Sequence, residues 1–311
     1  MRYTWTMLSP SIRRFIAAIA PPIFVQAIKR RDHLPATESR EISVNVHGAT
    51  LMLPRAHNLP HYVARYPFYD SALPALAAFL RHHKTSPLAV IDVGANLGDT
   101  AAIIAASIGN EAAEFICVEA DEQYLPLLRL NTAQLNVQIV HAIAGHISGS
   151  AHAAALPSGI GSSVIVSDDN STARMVAVDD LTDSPVDLLK IDTDGFELEV
   201  LRGSARTLRQ DNITIFLEYS PPHIRRYGGT EPSDVLGSLR QAGFEEVMVY
   251  DNVGIPIGIF PCVGDVLTAM SSYSERRADF YLDLLLNRDG QQLRKFLALE
   301  IDRTRSSALH F

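Results

Sequence analysis

Between Leu88 and Phe260 the chain alternates short apolar runs with stretches of helical periodicity, and the two patterns predict different elements. LAVIDV, EFICVEA, VQIVHA, VDLLKID and NITIFLEY are nearly continuous apolar runs of strand length. Between them, GDTAAIIAASIG, DEQYLPLLRLNTAQL and GFELEVLRGSARTL repeat their apolar positions every three or four residues, and another helix is predicted from Pro232-Ser233 to near Gly243. Strands that are apolar without alternation are covered on both faces, so the pattern predicts an α/β domain of five parallel strands joined by helices. EEVMVYDN and VGIPIGIF, meeting at an Asp-Asn turn, then read as a closing antiparallel hairpin.

Outside this block the pattern is looser. Residues 40–85 (EISVNVHGATLMLP, a Pro/Tyr-rich link and a short helix) predict an accessory lid, 86–270 the main domain, and 271–311 a helical C-terminal extension. Residues 1–39 form a basic amphipathic arm in which Ile12, Phe15, Ile16 and Ile19 share helical spacing before Pro21-Pro22 breaks it. Its apolar run from Phe15 to Ile28 is short of the roughly 20 residues that span a bilayer, so no transmembrane anchor is expected. A helix pair packed on the domain and a contact with anionic lipid both remain open for residues 1–31. Within the Gly/Ser/His-rich stretch 145–170, GIGSS (Gly159–Ser163) reads as a flap over a ligand or as a plain loop.

Charge narrows the function classes. The 311 residues carry a net charge of -8, and because residues 1–31 hold six basic and no acidic side chains the rest stands at -14. Nucleic acid is not the expected partner of so acidic a body. Cys117 and Cys262 are too few for a disulfide framework and stand in no zinc spacing, so a cytoplasmic protein is expected and no metal ligand set is assigned.

The chemistry gathers at the predicted strand ends. Asp92-Val93-Gly94-Ala95-Asn96-Leu97-Gly98 follows the first strand, where an open parallel sheet places its ligand crevice. The turn begins with a carboxylate instead of the GxGxxG of a pyrophosphate site, and Glu119, Asp192 and Glu218 end three further strands, with Asp194 just beyond. Such a field repels pyrophosphate and attracts S-adenosylmethionine, whose sulfonium and ammonium are positive. Asp92, Gly94, Asn96, Gly98, Glu119 and Asp192 are therefore the cofactor candidates, Glu119 for the ribose hydroxyls. Helix capping by Asp92 and tight-turn geometry at the two glycines are the alternatives.

In chain order, IDVGANLGDT, FICVEAD with an L-x-x-L-x-L-N helix, VAVDDL, LLKIDTDGFELEVLRGS and IFLEYSPP resemble the FkbM-type S-adenosylmethionine-dependent methyltransferases, from about Leu88 to Pro222. The resemblance implies a class I methyltransferase Rossmann-like sheet and O-methylation, often of sugar hydroxyls in polysaccharides, glycolipids or glycosylated metabolites. Alignment of an acceptor oxygen and removal of its proton would fall to Asp192, Asp194 or His223, with Asp194 facing the acceptor, ionised at a helix N-terminus, and Asp192 deeper. His141 and His146 lie near the third strand end, and Asp179 and Asp180 either cap a turn or serve the site. Asp192-Thr193-Asp194 is also the DxD pattern of metal-dependent glycosyltransferases. A noncatalytic scaffold with a relic cofactor pocket is the remaining alternative.

Overall fold

The computed structural model describes residues 41–82, 84–157, 163–168, 171–277 and 280–308. The basic arm expected over 1–39 and residues 159–162 of the expected flap lie outside them. The chain divides into two units, residues 43–53 with 58–311 and residues 1–42 with 54–57, and the candidate site lies wholly in the first.

A ribbon of β1 (Glu41–Val46) and β2 (Ala49–Pro54) precedes α1 (Leu59–Arg65) and α2 (Ala72–His82). Two strand–helix–strand units follow, built from β3 (Leu88–Val93), α3 (Asp99–Ile108), β4 (Ala113–Glu119), α4 (Leu125–Asn131) and β5 (Asn136–His141). Short strands β6 (Ile143–Ala144), β7 (Gly149–Ala151), β8 (Ala153–Pro157), β9 (Ser163–Ser167) and β10 (Ala173–Val176) form two small satellite sheets. The main sheet resumes with β11 (Leu188–Ile191), α5 (Glu197–Arg202), β12 (Thr214–Tyr219), α6 (Pro221–Arg226) and α7 (Pro232–Gln241). It ends with β13 (Glu246–Asp251), β14 (Pro256–Pro261), α8 (Asp265–Ser274), β15 (Leu282–Asn287) and α9 (Gly290–Ala308).

The main sheet has eight strands in the order β14-β13-β15-β12-β11-β3-β4-β5. From β5 to β12 the pairing is parallel, which gives the five expected strands and puts their C-terminal ends along one rim. The β13–β14 hairpin is present. It does not lie against the fifth strand, however, and the C-terminal region is not wholly helical: β15 inserts between β12 and β13, antiparallel to both. Its Leu284, Leu285 and Leu286 are at most 1% exposed, and burying each stabilises the fold by about 1.5–3 kcal/mol, so this strand is core and not an appendage.

Both faces of the sheet are covered, which is why its strands are apolar throughout. One layer, under α5, α7 and α8, contains Leu198, Val200, Val235, Leu239 and Leu267. The other, under α2, α3 and α9, contains Leu76, Ile104, Phe216, Tyr250 and Phe296. The helices themselves are shorter than the patterns suggest: α5 stops at Arg202, and a 3-10 turn at Thr207–Arg209 completes the stretch.

Candidate cofactor and acceptor site

Strand register decides which polar groups meet. Lys190 on β11 lies opposite Asp92 on β3, so the two point to the same face, and period-2 alternation adds Asp192 to that face two residues further on. Lys190 Nζ stands 3.2 Å from Asp92 Oδ1 and 3.3 Å from Asp192 Oδ2, and donates to the Gly94 carbonyl at 3.4 Å. Burial works against its charge, but Asp92, Asp192 and Asp99 outweigh that and hold its pKa well up. Asp92, 0% exposed, is paired among the described residues only through this lysine, and its pKa is raised by burial. Asp92 is not the helix cap: Gly98 holds that position before α3.

Across the sheet the same register sets acid against acid. Glu218 on β12 lies directly opposite Asp283 on β15, an arrangement in which like charges repel. Burial first, then Asp192, Asp194 and Asp283, drives the Glu218 pKa well above the usual carboxylate range. Burial together with Asp70 and Asp192 does the same for Asp283, and Asp70 itself rises to about 8, chiefly through burial.

The turn after β3 is shaped by the protein's own backbone. Gly94 and Gly98 have φ of +81° and +82°, and Asn96, at +48°, shares the left-handed region. A Cβ on Gly94 would lie 1.7 Å from the Asp192 carbonyl oxygen, and one on Gly98 would lie 2.8 Å from Leu128 Cδ1. A side chain at Gly94 would therefore collide with the chain leaving β11, so the tight-turn role of this glycine holds whatever ligand the turn receives. Glu119 closes the turn: its Oε2 accepts the Asn96 N–H at 2.6 Å and its Oε1 the Asp121 N–H at 2.7 Å. Burial raises its pKa to about 7 against the pull of those two donors. Each oxygen keeps a lone pair for a further donor.

On the other side, Asp192, Asp194 and His223 come together where β11 and β12 end. Asp194 has φ +51°, and Gly195 behind it packs so tightly on α6 that a Cβ would stand 2.5 Å from the His223 carbonyl oxygen. Asp194 Oδ1 lies 2.9 Å from His223 Nδ1, and this carboxylate raises the His223 pKa against the effect of burial. The prior expectation for Asp194 is reversed in two respects. Its side chain is 15% exposed against 35% for Asp192, so it is the deeper of the two. Its pKa is raised by burial instead of being lowered by a helix end, since α5 begins only at Glu197. Glu197, 1% exposed, accepts the Gly195 N–H at 2.9 Å and the Thr193 hydroxyl at 3.1 Å, and so holds the loop.

Other candidates fall elsewhere. His141 is exposed and 3.2 Å from the Ala120 carbonyl, and His146 pairs with Glu199 at 2.7 Å. Asp179 accepts from the Arg206 N–H and from the N–H and hydroxyl of Thr207, which makes it a cap for that turn, while Asp180 accepts from the Ser148 hydroxyl. Cys117 and Cys262 are buried free thiols. The sequence reading missed Lys190 and Glu197. A lysine inside the apolar run VDLLKID was the available sign, because a buried ammonium requires partners.

Residues 92–246 match the family described as the methyltransferase FkbM domain. The chain carries an FkbM methyltransferase domain. Among solved structures it is similar to methyltransferase FkbM from Methylobacillus flagellatus KT, at 18% identity over 51% of this chain and a TM-score of 0.37. It spans 38% of that protein's length. It is also similar to the O-methyltransferase from Bacillus cereus solved in complex with SAH, at 12% identity over 89% of this chain and 97% of that one, with a TM-score of 0.38. A third likeness is to precorrin-6y C5,15-methyltransferase from Geobacter metallireducens GS-15, at 16% identity, 57% and 74% coverage and a TM-score of 0.36. Among curated proteins none matches. The methyl donor that goes with the FkbM domain is S-adenosylmethionine, and the donor set fits it. Asp92, Asp192 and Asp99 outnumber the one ammonium of Lys190 among them, and Glu119 retains acceptor capacity at the end of the second parallel strand.

Proposed function

We propose that the FkbM domain is an S-adenosylmethionine-dependent O-methyltransferase acting on a sugar hydroxyl of a polysaccharide, glycolipid or glycosylated metabolite in the cytoplasm. The observation that carries this reading is the Asp194–His223 pair, 2.9 Å apart, at the same rim as the acidic cofactor turn. S-adenosylmethionine supplies an electrophilic methyl group on a sulfonium sulfur. Glu119 accepts hydrogen bonds from ribose hydroxyls, and Asp92 and Asp192, tied through Lys190, keep the crevice negative. Asp194 orients the acceptor hydroxyl and takes its proton, for which a raised pKa suits it better than an ordinary carboxylate. His223 steadies Asp194 and is the competing base.

The six basic and no acidic residues over 1–31 support contact with an anionic membrane surface, where lipid-linked acceptors would be met. No helix among the described residues is long and apolar enough to cross a membrane. The test is methyl transfer by the purified chain to glycan and glycolipid extracts from a deletion strain, read as a gain of 14 mass units. Asp194→Asn should lower turnover by about 100- to 10,000-fold while S-adenosylhomocysteine affinity holds. Full turnover in Asp194→Asn together with its loss in His223→Ala would move the base to the histidine. Extracts that gain no methyl group from the wild-type chain would refute the sugar acceptor.

A further inference from the structure

At the end of the sheet opposite the cofactor rim, α2 and α9 part over β15 and leave a cavity of about 160 Å³. Leu76 and Phe79 of α2, Leu293 and Phe296 of α9, and Leu285 of β15 form its apolar walls. A cavity of roughly 150 Å³ with such walls is large enough to hold a benzene ring. The Phe79 and Phe296 rings stand 5.3 Å apart and 43° from parallel, and an aromatic ligand packs well against such a tilted pair. Thr214, which opens β12, and Asn287, which closes β15, also line the cavity. From Thr214 to Tyr219, at the rim end of the same strand, the chain climbs about 17 Å.

The polar lining carries charge of one sign. Asp211 and Asp289 are exposed acids, and no basic side chain lines the cavity. Arg288, beside Asp289 in the chain, is occupied elsewhere: it donates to the carbonyls of Gln210 and Ala242 and lies over the Phe244 ring. Asp289 gives Oδ1 to the Gln291 N–H at 2.8 Å and keeps its other oxygen, and Asp211 forms no ion pair among the described residues. Asn287 is committed as well, its amide donating to Thr214 Oγ1 at 2.9 Å and its Oδ1 accepting the Asp289 N–H at 2.8 Å. Gln292 is not. Its Oε1 is buried and has no hydrogen-bond partner among the described residues. An orphaned acceptor beside two acids, at the edge of an apolar hollow, asks for a ligand group that is positive and rich in N–H donors.

We infer that this cavity binds a primary ammonium compound with an apolar body of about the size of one aromatic ring. The ring lies between Phe79, Leu285 and Phe296, and the ammonium meets Gln292 Oε1, Asp211 and Asp289. Its three N–H donors match three acceptors. A carboxylate in the same place meets two like charges, and a hydrocarbon leaves Gln292 unpaired, so both are disfavoured. The distance from the rim keeps the amine out of the reaction as an acceptor. The site therefore stands whether or not the chain methylates a sugar.

The experiment is a calorimetric titration of the full chain at neutral pH with 2-phenylethylamine, the neutral 2-phenylethanol and the anionic 3-phenylpropionate. One 2-phenylethylamine per chain is expected, with a dissociation constant below about 1 mM. The alcohol should bind about fivefold more weakly or worse, and the carboxylate more weakly still. Gln292→Leu keeps the bulk and loses the acceptor, and Asp211→Lys reverses an exposed charge. Each should weaken the amine about fivefold or more, the exposed control Glu122→Gln should not, and circular dichroism checks that all three fold. Absence of saturable amine binding even at tenfold the expected constant would overturn the site. Alcohol bound as tightly as amine would overturn the ammonium class. Amine affinity unchanged in both cavity variants but lost in Glu218→Gln would put the ligand in the acidic crevice instead, which also overturns the proposal.

Discussion

Glu119 and Glu218 end two parallel strands of one sheet, yet they live under opposite conditions. Glu119 receives two backbone N–H groups, and its pKa settles at about 7 despite deep burial. Glu218 receives none, faces Asp283 across the ladder, and is driven well higher. The first is an acceptor whose orientation the backbone has fixed in advance. The second has a fixed place, and burial with its acidic neighbours disfavours its charged form. Glu119 on the cofactor side of the rim is thus a satisfied group and Glu218 on the acceptor side is not, and between them Lys190 ties Asp92 to Asp192.

Removing that tie should have the largest effect. Lys190→Met leaves Asp92, 0% exposed, without its partner, and breaking a buried pair in this way costs about 3–5 kcal/mol. Urea unfolding at neutral pH should register it, and a loss below about 1 kcal/mol would mean that the two halves stand independently.

Gly94→Ala comes next. Its Cβ would collide with the Asp192 carbonyl, and the left-handed φ adds strain, so the variant should melt well below wild type while its S-adenosylhomocysteine affinity follows the folded fraction. A variant that melts normally but no longer binds would restore a purely ligand-facing role for this glycine.

The two glutamates can then be compared directly. Glu119→Gln puts an amide NH₂ against one of two N–H donors, with an expected cost of about 1.5–3 kcal/mol in stability and a fall in S-adenosylhomocysteine affinity of about tenfold or more. Glu218→Gln relieves repulsion and should melt no lower than wild type. Calorimetry and thermal melts on the pair decide the matter, and equal behaviour would erase the contrast.

The smallest effect is in pH. Glu119 and Glu197, both raised to about 7, bind protons in the folded chain that the unfolded chain has already released above its ordinary carboxylate range. The stabilisation is therefore full below about pH 4.5 and is lost as the pH climbs through about 7. The cofactor-free chain should melt several degrees lower at pH 8 than at pH 6. A melt that rises over that interval would show these carboxyls to be ionised throughout.

What could be read in the sequence was what is local. DVGANLG carries its turn, its glycines and its carboxylate within seven residues, and Glu119, Asp192 and Glu218 announce themselves by ending apolar runs. Lys190 was on the page as a letter, but its partner depends on the register of β11 against β3, which no periodicity encodes. The same holds for Glu218 and Asp283, brought face to face by a strand that lies in a stretch of helical appearance. Asp194 was identified, whereas its depth and raised pKa were not, because they depend on how soon the following helix starts.

The place of β15 also has a consequence in time. Strands β12 and β13 are neighbours in the sequence, but each is hydrogen-bonded to β15 and they reach one another only through it. During synthesis the hairpin of β13 and β14 therefore has no seat on the growing sheet until Leu282–Asn287 have left the ribosome. The edges of β12 and β13 stay open until then, and unpaired edges of this kind invite association between nascent chains. The strand that completes the fold is thus also the one that ends its most aggregation-prone interval.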